Sequence, residues 1–348
     1  MTKTFSFADN ILWKMLIRIS NIAAPLLLIV IFFSCNNKEE SPFGDLLYQQ
    51  PYASLTDSIK KEPKRDELYF RRAVLLNKNN LPEPALADFQ KAWSLRKDER
   101  YAIGISRLFL DKRPDSAIIF LNEAIKELPQ SILLQLSLAR AYDAQNRTDD
   151  ALMICDKILQ TYPDNVDILK FKSQLLDKKN DMAGAIASLE KAYSLAPFDV
   201  ELNNELAYKY AETKNPKVIS LCDSLIKMDS LKIHAEPYYC KGLYYSNIND
   251  KAKAIELFNA AIQHDYTFLD PYLAKGRVYY DQKKYNDAKK VFLQVINISS
   301  TLPDAYYWLG RSQEALGEKE EALLNYQRAY GLDKTFIEAK EAADKLGK

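Results

Sequence analysis

The chain has 348 residues, with 48 basic and 47 acidic side chains and a formal net charge of +1. So even a balance creates no field to draw in nucleic acid or an anionic surface, and nucleic acid is not expected as a partner. Only 9 glycines occur, which suits a helical protein and argues against glycine-rich phosphate loops.

Residues 1–35 read as a targeting segment rather than as part of the fold. Lys3, Lys14 and Arg18 precede an apolar run from Ala23 to Phe33, and Ser34-Cys35 comes next. A basic start, a short apolar core and a small residue form the layout of a secretory signal. The stretch from Ile19 to Phe33, interrupted by Asn21 and Pro25, is shorter than the roughly 20 residues that a helix needs to cross a bilayer. Its ending resembles the lipobox of bacterial lipoproteins, which implies that Cys35 is lipidated and becomes the mature amino terminus. Phe32 and Phe33 depart from the commoner residues of that motif. Starts at Met1 and at Met15 give the same mature protein. Residues 36–50 are expected to be a flexible tether, with Pro42 and Gly44 as breakers. Its Lys38-Glu39-Glu40 reads either as a solvated spacer or, by resemblance, as the export signal of surface-displayed lipoproteins. More than one acyl chain on Cys35 would hold the protein firmly to a membrane.

From Pro51 to Pro63, Leu55, Ser58 and Ile59 recur at helical spacing, which predicts one amphipathic helix, a half repeat over 51–65 that caps the full repeats beyond it. A pattern then begins at Asp66. Ala85, Ala117, Ala151 and Ala185 are spaced by 32, 34 and 34 residues, each joined four residues on by Phe89, Leu121, Cys155 or Leu189. Ala92, Ala124, Ile158 and Ala192 complete the same stripe, and Pro129, Pro163 and Pro197 end three of the units. A proline there stops a helix because it cannot donate the backbone hydrogen bond. The unit 200–234 is irregular: Val218 stands in the alanine place, Pro216 occupies the turn and the junction before Ala235 is longer. A bulkier residue at that crossing is expected to spread its two helices and make a seam. The last three units are the most regular, with Gly242, Gly276 and Gly310 in one register and Phe258, Phe292 and Tyr326 in another. Small residues let two helix backbones approach, and the larger ring fills the groove that results. Ile337 to Leu346 predicts a closing helix with Ala339, Ala342 and Leu346 toward the core and Lys340, Glu341 and Lys345 toward water.

A helical hairpin repeated at a fixed period cannot bury its apolar face alone and stacks on its neighbours. In the last unit Tyr306, Leu309, Gly310, Ala322, Tyr326 and Ala329 match the pattern of the tetratricopeptide repeat, while Gln313 and Lys334 depart from it. The chain therefore resembles that family. The resemblance implies an all-α solenoid of about eight hairpins (66–97, 98–131, 132–165, 166–199, 200–234, 235–268, 269–302 and 303–336) between capping helices at 51–65 and 337–348. It further implies a concave groove lined by the first helix of each hairpin. From the last three units, the family's groove positions are Tyr239, Leu243, Leu273, Arg277, Tyr280, Asp281, Tyr307 and Arg311, with Trp308 beside them. Aromatics with arginine are the residue types that dominate binding hot spots. Arg277 and Arg311 hold the same place in consecutive repeats, so they are expected about 10 Å apart on one wall, suited to acidic side chains or a terminal carboxylate.

Signals of catalysis are missing from the sequence. Cys155 and Cys222 fall at buried places, Cys240 falls on a first helix, and His234 and His264 have no partners at metal-ligand spacing. No catalytic residue, metal or cofactor is expected. The expectation is a monomeric, non-catalytic scaffold, lipid-anchored at the bacterial outer membrane, that holds a protein or peptide partner in its groove within an envelope complex. Its alternative is a glycan-binding surface lipoprotein of the starch-utilisation type, which uses exposed aromatics as sugar platforms.

Overall fold

The computed structural model describes residues 43–231 and 233–347. Cys35, the apolar run before it and residues 36–42 lie outside them. Among the described residues there are nineteen α-helices and no strand.

The chain divides into two compact units, one ending at Ala53 and the other running from Ser54. The described part of the first corrects the expected tether. Gly44, read as a breaker, instead begins a short helix α1 (Gly44–Leu47), and Leu47 and Tyr52 are buried. Phe43, Leu46 and Leu47 gain more by burial than a solvated linker would, while Tyr48 stays exposed.

In the second unit α2 (Ala53–Lys61) precedes eight helix pairs: α3 (Asp66–Lys78) with α4 (Pro82–Leu95), α5 (Glu99–Leu110) with α6 (Pro114–Glu127), α7 (Ile132–Ala144) with α8 (Thr148–Thr161), and α9 (Val166–Lys178) with α10 (Met182–Leu195). Then come α11 (Val200–Glu212) with α12 (Lys217–Met228), α13 (Glu236–Asn247) with α14 (Lys251–His264), α15 (Leu269–Asp281) with α16 (Tyr285–Ile298), and α17 (Pro303–Leu316) with α18 (Lys319–Leu332). Helix α19 (Ile337–Leu346) closes the array. From α3 on, helices pack mainly on their sequence neighbours, and first helices also touch the first helix of the next pair, as α13 touches α15 and α15 touches α17. This is the all-α solenoid that the repeat period implies.

Local chemistry sets the helix ends. Asp98, Ser131, Asn165 and Asp199 sit just before first helices, and their side-chain oxygens accept backbone N–H groups of the first turn. Between the two helices of a pair, Asn80, Asn146, Asn180, Lys214, Asn249, Lys283 and Gly317 occupy one register and share a positive φ. Asparagine and glycine adopt that backbone conformation most readily, so the repeated Asn/Gly marks the hairpin turn.

The stripe read from sequence is the core. Ala85, Ala117, Ala151, Ala185, Ala254, Ala288 and Ala322 are all fully buried, as are Cys155, Leu189, Phe258, Phe292 and Tyr326. A Cβ placed on Gly242, Gly276 or Gly310 would come within 2.6, 2.5 and 2.9 Å of the rings of Phe258, Phe292 and Tyr326 respectively, so these glycines are held by close helix approach. Val218 is likewise fully buried. After it the junction from Asp229 to Ala235 is longer than the four-residue junction 196–199 between α10 and α11. Here α11 packs directly on α13 in one core cluster that holds Val218, Cys222 and Cys240, and the Asn247 amide donates to the Ala211 carbonyl at 3.0 Å. On α19 the buried residues are Ala339 and Ala343, while Ala342 and Leu346 are half-buried. The contact stripe therefore turns one residue further than the sequence pattern placed it.

Candidate functional site

The residues singled out on α13, α15 and α17 divide into two groups. Tyr239, Leu243 and Leu273 belong to the packing between hairpins, which corrects their placement on an open groove wall. Tyr239 meets Phe268 edge-on at 5.2 Å and Phe258 at 6.1 Å, and burial pushes its phenol well above the ordinary tyrosine range. Leu273 is 8% exposed within the core of the seventh hairpin, and Leu243 packs against two adjoining core clusters. For Tyr239 the physical reason is the junction aromatic: Phe268 folds back over it, as Phe336 folds over Tyr307 at 4.9 Å. Asp281 is exposed at the end of α15 and stands apart from these contacts.

Arg277, Tyr280, Tyr307, Trp308 and Arg311 are brought together. Trp308 stacks on Phe292 with ring centroids 6.2 Å apart, and Tyr280 and Tyr307 meet its edge at 5.5 and 5.8 Å. The Arg277 guanidinium lies 5.2 Å from the Trp308 ring and that of Arg311 lies 5.6 Å from it, so the two arginines share one indole. Each such cation–aromatic contact stabilises by about 0.5–1 kcal/mol where solvent reaches it.

The two arginines are nonetheless unequal. Arg277 Nη2 pairs with Asp304 at 3.2 Å, and Asp270, whose carboxyl is raised by burial and drawn back by Arg277, stands near. Arg311 instead donates to two phenol oxygens, Tyr307 at 3.2 Å and Tyr280 at 3.2 Å, with their rings 5.8 and 5.3 Å away. Among the described residues no carboxylate forms an ion pair with Arg311. Tyr280, Tyr307 and Arg311 line a cavity of about 480 Å³ together with Glu314, Ala315, Ala342 and Lys345. Glu314 accepts the Tyr326 hydroxyl at 2.6 Å.

Three members of this neighbourhood escaped the sequence reading. Asp304 carried a signal, since Asp270 stands 34 residues before it on the same face. Glu314 sits on a groove position of α17 but was hidden by the aromatic pattern around it. Lys345 lies beyond the repeats and has no period to reveal it.

Elsewhere the three described cysteines do not offer nucleophiles. Burial pushes the Cys155 and Cys222 thiols up to about 12 and raises that of Cys240 as well, so none is a thiolate near neutral pH. His264 stacks on Tyr238 at 4.5 Å. Among the described residues no group of three or more His, Cys, Asp or Glu side chains could hold a metal ion.

Three family models match the chain. One described as "TPR repeat" covers residues 276–317, and two described as "Tetratricopeptide repeat" cover 108–175 and, in three copies, 169–199, 235–265 and 303–336. The chain is 31% identical over 117 residues to "Heat shock protein STI1" of Saccharomyces cerevisiae, across 33% of its own length and 20% of that protein. It is 25% identical over 203 residues to "Tetratricopeptide repeat protein 1" of Schizosaccharomyces pombe, across 53% of its length and 19% of that protein. The matches thus span no more than a fifth of either relative. Among solved structures, a tetratricopeptide repeat protein from Parabacteroides merdae superposes with a TM-score of 0.57 at 18% identity, covering 71% of this chain and 98% of that one, a likeness of fold.

Proposed function

The chain belongs to the tetratricopeptide-repeat family and is a protein–protein interaction scaffold, and from that premise we propose that it is non-catalytic, lipid-anchored at the bacterial outer membrane, and holds a partner protein or peptide on the first helices of its last repeats within an envelope complex. The observation that carries the partner site is the shared indole of Trp308 between Arg277 and Arg311, with Tyr280 and Tyr307 at its edge. Rigid aromatics and planar guanidiniums present large area and directed hydrogen bonds at low entropic cost, as binding hot spots require. The anchor rests on the sequence at Ser34-Cys35 after a short apolar core.

At Trp308 the glycan reading finds less support, because that ring already packs on Phe292 and carries two guanidiniums.

The test is crosslinked capture from the native envelope with the parent and with Arg277→Glu/Arg311→Glu. A stoichiometric protein partner lost in the variant, with helicity and melting unchanged, supports the site; equal capture by both refutes it. Cys35→Ser is expected to release the protein from the membrane or leave it as a precursor, and normal membrane retention of that variant refutes the anchor.

A further inference from the structure

Resting on that reading of the site, we infer that the cavity between α17 and α19 is a carboxylate subsite in which Arg311 and Lys345 are the paired cations, so that the closing helix is part of the binding site as well as a cap. Two independent observations converge on it. Arg311 is held in place by hydrogen bonds to two phenols at 3.2 Å, contacts that orient the guanidinium without neutralising it. Lys345, in the last turn of α19, lines the same cavity and is exposed, and no carboxylate among the described residues pairs with it. Glu314 also lines the space and keeps its charge while accepting the Tyr326 hydroxyl, so the walls carry two cations against one carboxylate.

Arg277 lies outside this subsite. Its guanidinium is paired with Asp304, and its part is to cover Trp308. The cavity of about 480 Å³ has room for a carboxylate and the side chain or backbone carrying it. Arg311 has further N–H donors beyond the two that its phenol contacts use, and a planar carboxylate can accept from it while Lys345 approaches as a point charge.

A carboxylate can come from an acidic side chain or from a chain terminus. The probe is a fluorescein-labelled hexapeptide of glutamates, compared with its amidated form and with a hexapeptide of glutamines whose terminus is free. Binding to the folded protein is tracked by anisotropy. The glutamate peptide is expected to bind about tenfold more weakly to Lys345→Ala and to Arg311→Gln, the loss of a hydrogen bond to a charged group. Arg277→Gln is expected to change it less. Binding retained by the amidated peptide and lost by the glutamine peptide assigns side-chain recognition; the reverse assigns a terminal carboxylate. No binding by either acidic form, or binding indifferent to Lys345→Ala, overturns the inference. Lys345 is exposed, so its removal leaves the fold intact. If the native partner is still captured by Lys345→Ala and lost in Arg277→Glu/Arg311→Glu, the scaffold site stands and the carboxylate subsite alone fails.

Discussion

Removing Asp88 should unfasten the start of the solenoid. Arg72 on α3 is 6% exposed and Asp88 on α4 is 5% exposed, and the guanidinium meets the carboxylate through two bonds, Nε to Oδ2 at 2.6 Å and Nη2 to Oδ1 at 2.7 Å. Its remaining Nη1 donates to Thr56 Oγ1 on α2 at 2.9 Å, so one arginine ties three helices together. Asp88→Ala deletes both charge-assisted bonds and strands a buried cation, which costs about 3–5 kcal/mol. Domains are stable by only about 5–15 kcal/mol, so the loss is a large fraction of the whole. In a repeat array each hairpin touches only its neighbours, so the damage is expected to stay local. Hydrogen exchange should show faster opening of α2, α3 and α4 with the amides of α15 to α18 unchanged, and urea unfolding should lose its first transition or broaden. Arg72→Met with Asp88→Leu removes both charges at similar volume and should restore most of the stability. Asp88→Ala within about 0.5 kcal/mol of the parent, a surface-like value, or exchange accelerated evenly along the chain, would refute the reasoning.

Gly276→Ala should destabilise by about 1–3 kcal/mol in urea unfolding, because its new methyl would stand 2.5 Å from the buried ring of Phe292; a neutral result would mean that the ring yields without cost. Lys283 holds φ 59° in the hairpin turn, where a side chain costs roughly 1–2 kcal/mol, so Lys283→Gly should raise the melting temperature while Gly317→Ala lowers it. Both substitutions moving the same way would exclude this account. Glu205 is half-buried, and desolvation raises its carboxyl above the ordinary 4.5 despite the attraction of Lys209 and Lys170. A folded-state value above the unfolded one means that the folded state binds the proton more tightly. The burden of the charge is therefore absent below the unfolded value and fully present above the folded one. Glu205→Gln should match the parent near pH 4 and exceed it in stability at pH 7; an equal difference at both pH values would disprove the assignment.

Much of the fold was legible in the chain because its information is local. An alanine, a ring and a second small residue at intervals of four and three, returning after 34 residues, define both the buried stripe of α18 and its partner on α17. The turn between them is marked by Asn or Gly in most repeats for an equally local reason, the left-handed backbone. The ends were less legible. Phe43 to Tyr48 carries too short a pattern to declare α1, and the face of α19 is set by what it lands on, which favours Ala343 over Ala342.

The site divides along the same line. Sequence register alone put Arg277, Tyr280, Tyr307, Trp308 and Arg311 on successive first helices, and they do meet. Register could not say that Tyr239 is covered, which depends on how Phe268 folds back across the junction, or that Leu273 sinks into the core that the seventh hairpin shares with Ala305 and Leu309 of the next. Nor could it separate two arginines that are equivalent by period. Only tertiary structure gives Arg277 a carboxylate in Asp304 and gives Arg311 two phenols and the company of Lys345. Helical periodicity fixes which side chains share a face. Which charge is neutralised is settled by a few ångströms of side-chain reach between repeats, and no periodic pattern encodes that distance.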